Sequence, residues 1–482
     1  DATAMRVRTR WIQTGVFYFA NLIHAINTGE LNLVNPELNS QETLDFVFPE
    51  NSNTSKSTML QLQASVARDL FELPGGPLQA GLGASIRRET VNAPSANPER
   101  DSEGNPTEVY EDIDPTQRWS DRINPFGVIG KRTVKSVYGE LLAPVLDTLD
   151  VNLSGRFDSY STGQDAFSPK VGVKFTPIRQ VALRGTWSKG FRIGSFAESF
   201  GLPTTGYING GNTVPEAYQA LFPGGANHPY LANYNLGLTQ IGNPDLKPEK
   251  SRNLTFGIVA EPIRRVSLSV DYWDIKKTDV ITGSDFTPAL EAYYAGEPIP
   301  EGFEIIPDVI NPSPIPGAPA RVAFVRYSYV NAAEQRASGI DFSASARVPL
   351  GDGLALTSTV EASRLLKLNT CYEGQGCQEF AGTIGPYVIT SASGSPKWRG
   401  SWQNTLEFGP AFASLTGYYT SGYKLTAEDI TGPDTKDDCE NTLGAHFNDG
   451  TAQCSVKKTL YWNLAAGVDV DENLSLYANV NN

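Results

Sequence analysis

The sequence predicts an all-β fold: a transmembrane antiparallel β-barrel with about fifteen strands in this chain, long extracellular loops and short periplasmic turns. Three observations carry this. Hydrophobicity alternates with period 2 along segment after segment, short polar turns alternate with long connections, and aromatic residues collect towards the strand ends. In 265–275, Val266, Leu268, Val270 and Tyr272 share one face, while Ser267, Ser269 and Asp271 share the other. The same split sets Val151, Leu153 and Phe157 against Asn152, Ser154, Arg156 and Asp158, and Val171, Val173 and Phe175 against Lys170, Gly172 and Lys174. Period 2 sends successive side chains to opposite faces of a sheet. One face suits lipid, and the other carries charge.

A soluble sandwich with one wet face shows the same alternation. Strand length argues against it, because the segments run about 10–18 residues, longer than most sandwich strands and suited to a tilted bilayer crossing. The aromatics Trp187, Phe191, Tyr272, Trp273, Tyr418, Tyr419, Tyr461 and Trp462 lie near strand ends, where interfacial girdles are expected. The turns decide the orientation. Short ones fall at 74–77, 146–148, 177–179, 262–265, 349–353, 409–410 and 471–473. The large connections fall at about 19–53, 91–130, 190–249, 282–320, 371–394 and 425–455. A barrel inserted from the periplasm keeps its short turns on that side and its long loops outside.

Composition agrees. The chain has 45 glycines, 32 prolines and 20 tyrosines against 2 methionines and 3 histidines, a mixture that favours strands and turns. No apolar run of about 18 residues is present, so a helical span is excluded. The net charge is −14, and segments 91–130 and 425–455 supply −5 and −6 of it. Nucleic acid is therefore not an expected partner, since phosphate contacts need clustered Lys and Arg. Outer-membrane lipid and lipopolysaccharide are, with the acidic loops bridged to lipid phosphates by divalent cations.

The four cysteines fall as two local pairs, Cys371 with Cys377 and Cys439 with Cys454. An even count in the long loops of an exported protein points to two loop-stapling disulfides. Zinc is the rival, but the spacing does not fit and no His is near the first pair. Pairing by proximity is an assumption. No metal site, cofactor or catalytic constellation emerges. His24, His228 and His446 are far apart, and GLGASI (81–86) lacks the third glycine of a dinucleotide loop and lies in a strand.

The strand segments are 4–18, 54–72, 78–90, 131–145, 149–160, 166–176, 180–190, 250–261, 265–281, 321–348, 354–370, 395–408, 411–424, 456–470 and 473–482. The 321–348 segment reads as one long descending strand bent at Gly339. An odd number of antiparallel strands leaves edges that cannot close on each other, which is costly in lipid. The expectation is an incomplete barrel.

Two stretches carry a family resemblance. SPKVGVKFTP (168–177) with RGTWSKGFRIGSFAE (184–198), and NPDLKPEKSRNLTFG (243–257), resemble motifs of TonB-dependent outer-membrane receptors. AGTIGP (381–386) is similar to a loop of a large subgroup, and SLYANVNN (475–482) to the family's penultimate strand. Ile193-Gly194 departs from the Ala-Pro that many relatives carry after the Arg. The resemblance implies a 22-stranded barrel with a plugged lumen, of which residues 1–482 would form strands 7 to 21. The plug, the TonB-contacting segment, the early strands and the last strand would then lie outside the chain. It also implies active uptake of a scarce solute, a ferric siderophore first and an oligosaccharide or peptide next, with the TonB complex as partner.

The alternatives are a passive porin, and a structural or adhesive surface barrel in a larger assembly with a surface lipoprotein. Pro244, Asp245 and Pro248 read as a stiff re-entry, with Lys247, Glu249, Lys250 and Arg252 near the rim. Ligand candidates come from loop position: Arg118, Trp119, Tyr207, Tyr230, Tyr234, Tyr293 and Tyr294. Aromatic rings can stack on sugars or flat chelates, and Arg can hold carboxylates. The same residues can also serve to pack the loops together.

Overall fold

The computed structural model describes residues 1–93, 127–201, 204–232, 234–372, 376–385, 393–425 and 454–481. From the N-terminus, β1 (Ala2–Gln13), β2 (Asn51–Leu73), β3 (Gly76–Ala93), β4 (Val128–Leu146), β5 (Leu149–Tyr160), β6 (Asp165–Ile178) and β7 (Val181–Arg192) pair each with the next. Two short loop strands follow, β8 (Thr204–Asn209) and β9 (Asn235–Ile241). The wall resumes with β10 (Glu249–Ile263), which pairs with β7, and continues through β11 (Val266–Gly283). After the loop strand β12 (Phe303–Pro307) come β13 (Val322–Gly351) and β14 (Leu354–Tyr372). β15 (Gly376–Glu379) is a loop strand, and β16 (Trp398–Phe408) and β17 (Ala411–Thr420) return to the wall. The minor pair β18 (Tyr423–Lys424) and β19 (Ser455–Val456) precedes the last two wall strands, β20 (Thr459–Asp471) and β21 (Leu474–Val480).

Among the described residues fifteen strands thus form one antiparallel ladder, as the alternation predicted. Every wall pair joined by a tight turn meets at the same end of the ladder, the end that an outer-membrane barrel keeps in the periplasm. On the outer face Leu62, Val66, Leu82, Val137, Leu153, Val171, Phe256, Leu268 and Val270 are exposed. In water such a surface would be untenable, whereas in a bilayer it is the solvated face. Ladder bonding satisfies the backbone, as lipid demands. Among the described residues no helix is long and apolar enough to cross a membrane.

Among the described residues β13 is the longest strand, at 30 residues. Its pairing register with β14 shifts between Ser338 and Gly339, where the bend was expected. A Cβ on Gly339 would stand 2.5 Å from the Trp273 ring and 2.8 Å from the Arg364 carbonyl oxygen, so glycine is needed for this close approach. The boundaries differ from expectation chiefly at β1, which ends at Gln13, and at β17, which ends at Thr420. In the first long loop, helices α1 (Phe19–Thr28) and α2 (Gln41–Val47) fold against each other around buried Ala25 and Val47.

The aromatic girdle needs correction. Tyr272–Trp273, Tyr418–Tyr419 and Tyr461–Trp462 are sequence neighbours on strands, so one ring of each pair must face the lumen. Trp273 lies over Gly339 on the inner face. Tyr418 and Tyr461 stack at 5.0 Å on the face that carries Asp341, Glu361 and Arg399. Of these six rings Tyr272, Tyr419 and Trp462 share the outer face, which Trp187 and Phe191 on β7 also occupy.

Candidate functional site

The long connections after β7 and β11 fold together above the wall into a compact cap. Sequence sets up its helices locally. Ser195 accepts from the Glu198 amide and Glu198 reaches back to the Ser195 amide, a capping box that starts α3 (Phe196–Phe200). α4 (Glu216–Gln219) is a single turn, and α5 (Thr287–Ala295) has Pro288 in its first turn and ends on Gly296 at φ 71°. β8 pairs antiparallel with β9, β9 pairs parallel with the top of β13, and β12 pairs with the other edge of β13. The cap is therefore a four-stranded sheet grown on the upper end of a wall strand.

Val214, Tyr218, Phe222, Leu231, Tyr234, Leu236, Leu290, Val322 and Val325 form its buried core. Arg321 sits at the edge of this core, 5.0 Å from the Tyr230 ring centre and 4.7 Å from that of Tyr234. Its Nε donates to Asp308 at 2.9 Å and its Nη1 to the Tyr230 carbonyl at 2.7 Å. Burial alone would raise the pKa of Asp308, but the Arg321 and Asn311 hydrogen bonds outweigh it and hold the carboxyl below its ordinary value. Tyr293 donates to the Ala320 carbonyl at 2.8 Å and Tyr294 accepts from the Val322 amide at 3.1 Å. Burial pushes the Tyr293 phenol up to about 12 and raises those of Tyr230, Tyr234 and Tyr294 as well.

Beneath the cap a cavity of about 650 Å³ opens at the mouth of the lumen. Phe286, Tyr327, Tyr329 and Tyr372 supply rings, and Gln240, Lys277 and Gln335 supply polar groups. Arg192 stands between two carboxylates, with Nε 2.8 Å from Glu249 and Nη1 2.7 Å from Glu198. Glu249 is 5% exposed and also accepts from the Ile281 amide at 2.9 Å. Thus GFRIGSFAE and NPDLKPEKS, far apart in the chain, meet through one guanidinium. The re-entry is pinned to β13 as well: the Lys247 amide donates to Asn331 at 2.9 Å, and Asn243 donates to the Tyr329 carbonyl at 2.8 Å.

Of the ligand candidates, Tyr230, Tyr234, Tyr293 and Tyr294 converge in the cap, where Tyr234 is part of the core, the other three pack against it, and the hydroxyls of Tyr230, Tyr293 and Tyr294 bond backbone groups. Tyr207 lies on β8, 41% exposed and edge-on to Phe324 at 6.3 Å. Arg118 and Trp119 lie outside the described residues. Cys371 and Cys377 are disulfide-bonded across β14 and β15. Cys454 is disulfide-bonded too, while Cys439 lies outside the described residues. Sequence reasoning missed Arg321, Asp308, Tyr218 and the cavity residues Tyr327, Tyr329 and Tyr372. Only the pairing of distant strands brings them together, although Arg192 and Glu249 stood in the recognisable motifs. Among the described residues no cluster of His, Cys, Asp and Glu could hold a metal.

Residues 8–482 match the family model described as TonB dependent receptor-like, beta-barrel. The chain belongs to that family. It is an outer-membrane β-barrel of a Gram-negative bacterium. Among solved structures it is similar to the siderophore receptor PirA from Acinetobacter baumannii, with a TM-score of 0.60 and 14% identity over 100% of this chain and 55% of that one. It is similar also to a mutant of the ferric enterobactin receptor PfeA from Pseudomonas aeruginosa in complex with enterobactin, with a TM-score of 0.59 and 14% identity over 100% of this chain and 53% of that one. At such identity the likeness is one of fold. The chain spans about half the length of these receptors. Among curated proteins no sequence relative is found.

Proposed function

We propose that the chain forms wall strands 7 to 21 and the extracellular mouth of a receptor that takes up a scarce solute, a ferric siderophore first and an oligosaccharide or peptide second. The observation that supports this reading is the mouth cavity roofed by a cap with its own buried core. At about 650 Å³ it lies within the usual range for small-molecule sites, roughly 300–1,000 Å³, and it offers the expected mix of rings and oriented polar groups. Flat chelates and sugars can lie against Phe286, Tyr327 and Tyr372, with Gln240, Lys277 and Gln335 fixing their orientation. Tyr207 and the loop residues Arg118 and Trp119 are the candidates for first capture. The enclosed core keeps Tyr230, Tyr234, Tyr293 and Tyr294 as the frame behind the site. This is a reading of transport and not of catalysis, with energy delivered by the TonB complex.

Deletion of the gene is expected to abolish growth on one ferric chelate or oligosaccharide supplied as sole iron or carbon source. Restoring the gene restores growth only while TonB is active. Uptake that persists without TonB would make the protein a passive pore and overturn the reading.

A further inference from the structure

On the lumen side of the wall, two stretches of the strand ladder carry different chemistry. Between β4 and β7 the inward face holds ion pairs: Lys174 stands 3.5 Å from Asp150, and Arg156 stands 2.9 Å from Asp158. Between β11 and β20 it is rich in hydroxyls and amides instead. One cross-strand row there holds Ser269, Ser343, Glu361, Ser401, Tyr418 and Tyr461. The row on its periplasmic side, from Ser267 across Thr359 and Gln403 to Asn463, carries no charge. The row on its extracellular side brings Asp341, Ser363 and Arg399 next to one another. Asp341 follows Gln335, which lines the mouth cavity, by six residues. At about 3.3 Å each, these three rows start about 20 Å of strand below the mouth.

A pocket of about 540 Å³ opens at this place, lined by the two tyrosines and by Asp341, Glu361 and Arg399. Its volume lies within the usual range for small-molecule sites, roughly 300–1,000 Å³. Tyr418 and Tyr461 stack at 5.0 Å with their planes 19° apart, and Tyr461 stays 41% exposed. Ser363 donates to Asp341 at 2.6 Å and so orients that carboxylate. Asp271 stands directly opposite Asp341 on β11 and is held by Arg184, whereas Asp341 has no ion-pair partner among the described residues. Like charges directly opposite destabilise a sheet, so the second carboxylate is kept at a cost. Two carboxylates against one guanidinium leave the pocket with a surplus of negative charge.

We propose that this pocket is a second solute subsite, on the lumen wall below the mouth, and that it takes an uncharged oligosaccharide. Within the uptake reading, on which this rests, the mouth cavity suits a chelate or a sugar, and the lumen pocket separates the two. A sugar lays its C–H face on an aromatic ring. Its neighbouring hydroxyls donate to Asp341 and Glu361 and accept from Arg399, as charge-assisted hydrogen bonds. The hydroxyls and amides of the next row continue such contacts towards the periplasm. An anionic chelate would bring negative charge to a pocket that already holds a surplus of it.

The test uses the full receptor extracted from outer membranes into detergent, with calorimetry as the readout and maltohexaose, cellohexaose and xylohexaose as probes. At least one probe should occupy two sites per receptor, one at the mouth and one in the lumen. Tyr418→Leu with Tyr461→Leu should weaken the lumen site about tenfold or more and leave the other unchanged. Tyr327→Leu with Tyr372→Leu should do the reverse. The wild-type lumen site should also bind the uncharged probe about tenfold more tightly than hexagalacturonate, a comparison that needs no variant. Asp341→Asn with Glu361→Gln should close that gap. A single site untouched by the lumen ring variant overturns the proposal, as does a lumen site that prefers hexagalacturonate. Binding of none of the three probes overturns it too, while TonB-dependent growth still decides the uptake reading by itself.

Discussion

In the wall, Leu62, Val66, Leu268 and Val270 point away from the protein and are exposed, while in the cap Leu231, Leu236, Val322 and Val325 are fully buried. The residue types are the same. One region leaves them to the bilayer and gains cohesion from ladder bonds, and the other gathers them against water around tyrosines and Arg321. β13 belongs to both regions, paired with β11 and β14 below and with β9 and β12 above. One strand thus crosses from a lipid-solvated sheet into a water-solvated domain. The change of solvent, and not of secondary structure, decides what each side chain does.

The largest expected effect separates the two. Leu236→Ala should destabilise the cap by about 2–5 kcal/mol through lost burial and the cavity left behind. Hydrogen exchange should accelerate in 204–241 and 322–330 and stay unchanged in β3 to β6. Equal acceleration in the wall would show that the two are one cooperative unit. Next, Val270→Arg on the lipid face should cost about 2–4 kcal/mol near the bilayer midplane, whereas Ser269→Arg, facing the lumen, should cost far less. Urea unfolding in vesicles compares them, and equal costs would overturn the assigned faces.

A pH scan should open the cap from both sides. Tyr293, with its phenol at about 12 against an ordinary value of about 10, must stay neutral in the fold. The unfolded chain sheds that proton first, so cap stability falls as pH rises from about 10 towards 12. Asp308 has the opposite sign: its pKa is depressed, so its contribution is complete above the ordinary carboxylate range and is lost as pH falls through the lowered value. Limited proteolysis followed across the scan should show the cap opening before the wall towards both extremes. The smallest effect belongs to Ser195→Ala, which removes the capping box of α3 for about 0.5–2 kcal/mol. Its signature should be confined to exchange at 195–201.

The wall was legible because period 2 is a local signal repeated in every strand, and Gly339 stood out as the bend in β13. The cap was not. β8, β9 and β12 have 6, 7 and 5 residues, too short for alternation to show, and β9 joins β13 in parallel across some 80 residues of chain. Tyr230, Tyr234, Tyr293 and Tyr294 were noticed for their type and loop position, but nothing local tied them to Arg321. The inward turn of Tyr418 and Tyr461 could have been read, since adjacent strand residues cannot share a face. Arg192 and Glu249 were in plain sight as motif residues, and only the β7–β10 pairing joined them.

β13 also sets a height. Its 30 residues, at about 3.3 Å each, make roughly 100 Å of contour against a hydrocarbon thickness of about 30 Å. Even with the strand tilted by about 40°, its upper end projects tens of ångströms into the surroundings of the cell. The strands that join β13 at that height therefore stand clear of the hydrocarbon layer, with water and not lipid around them.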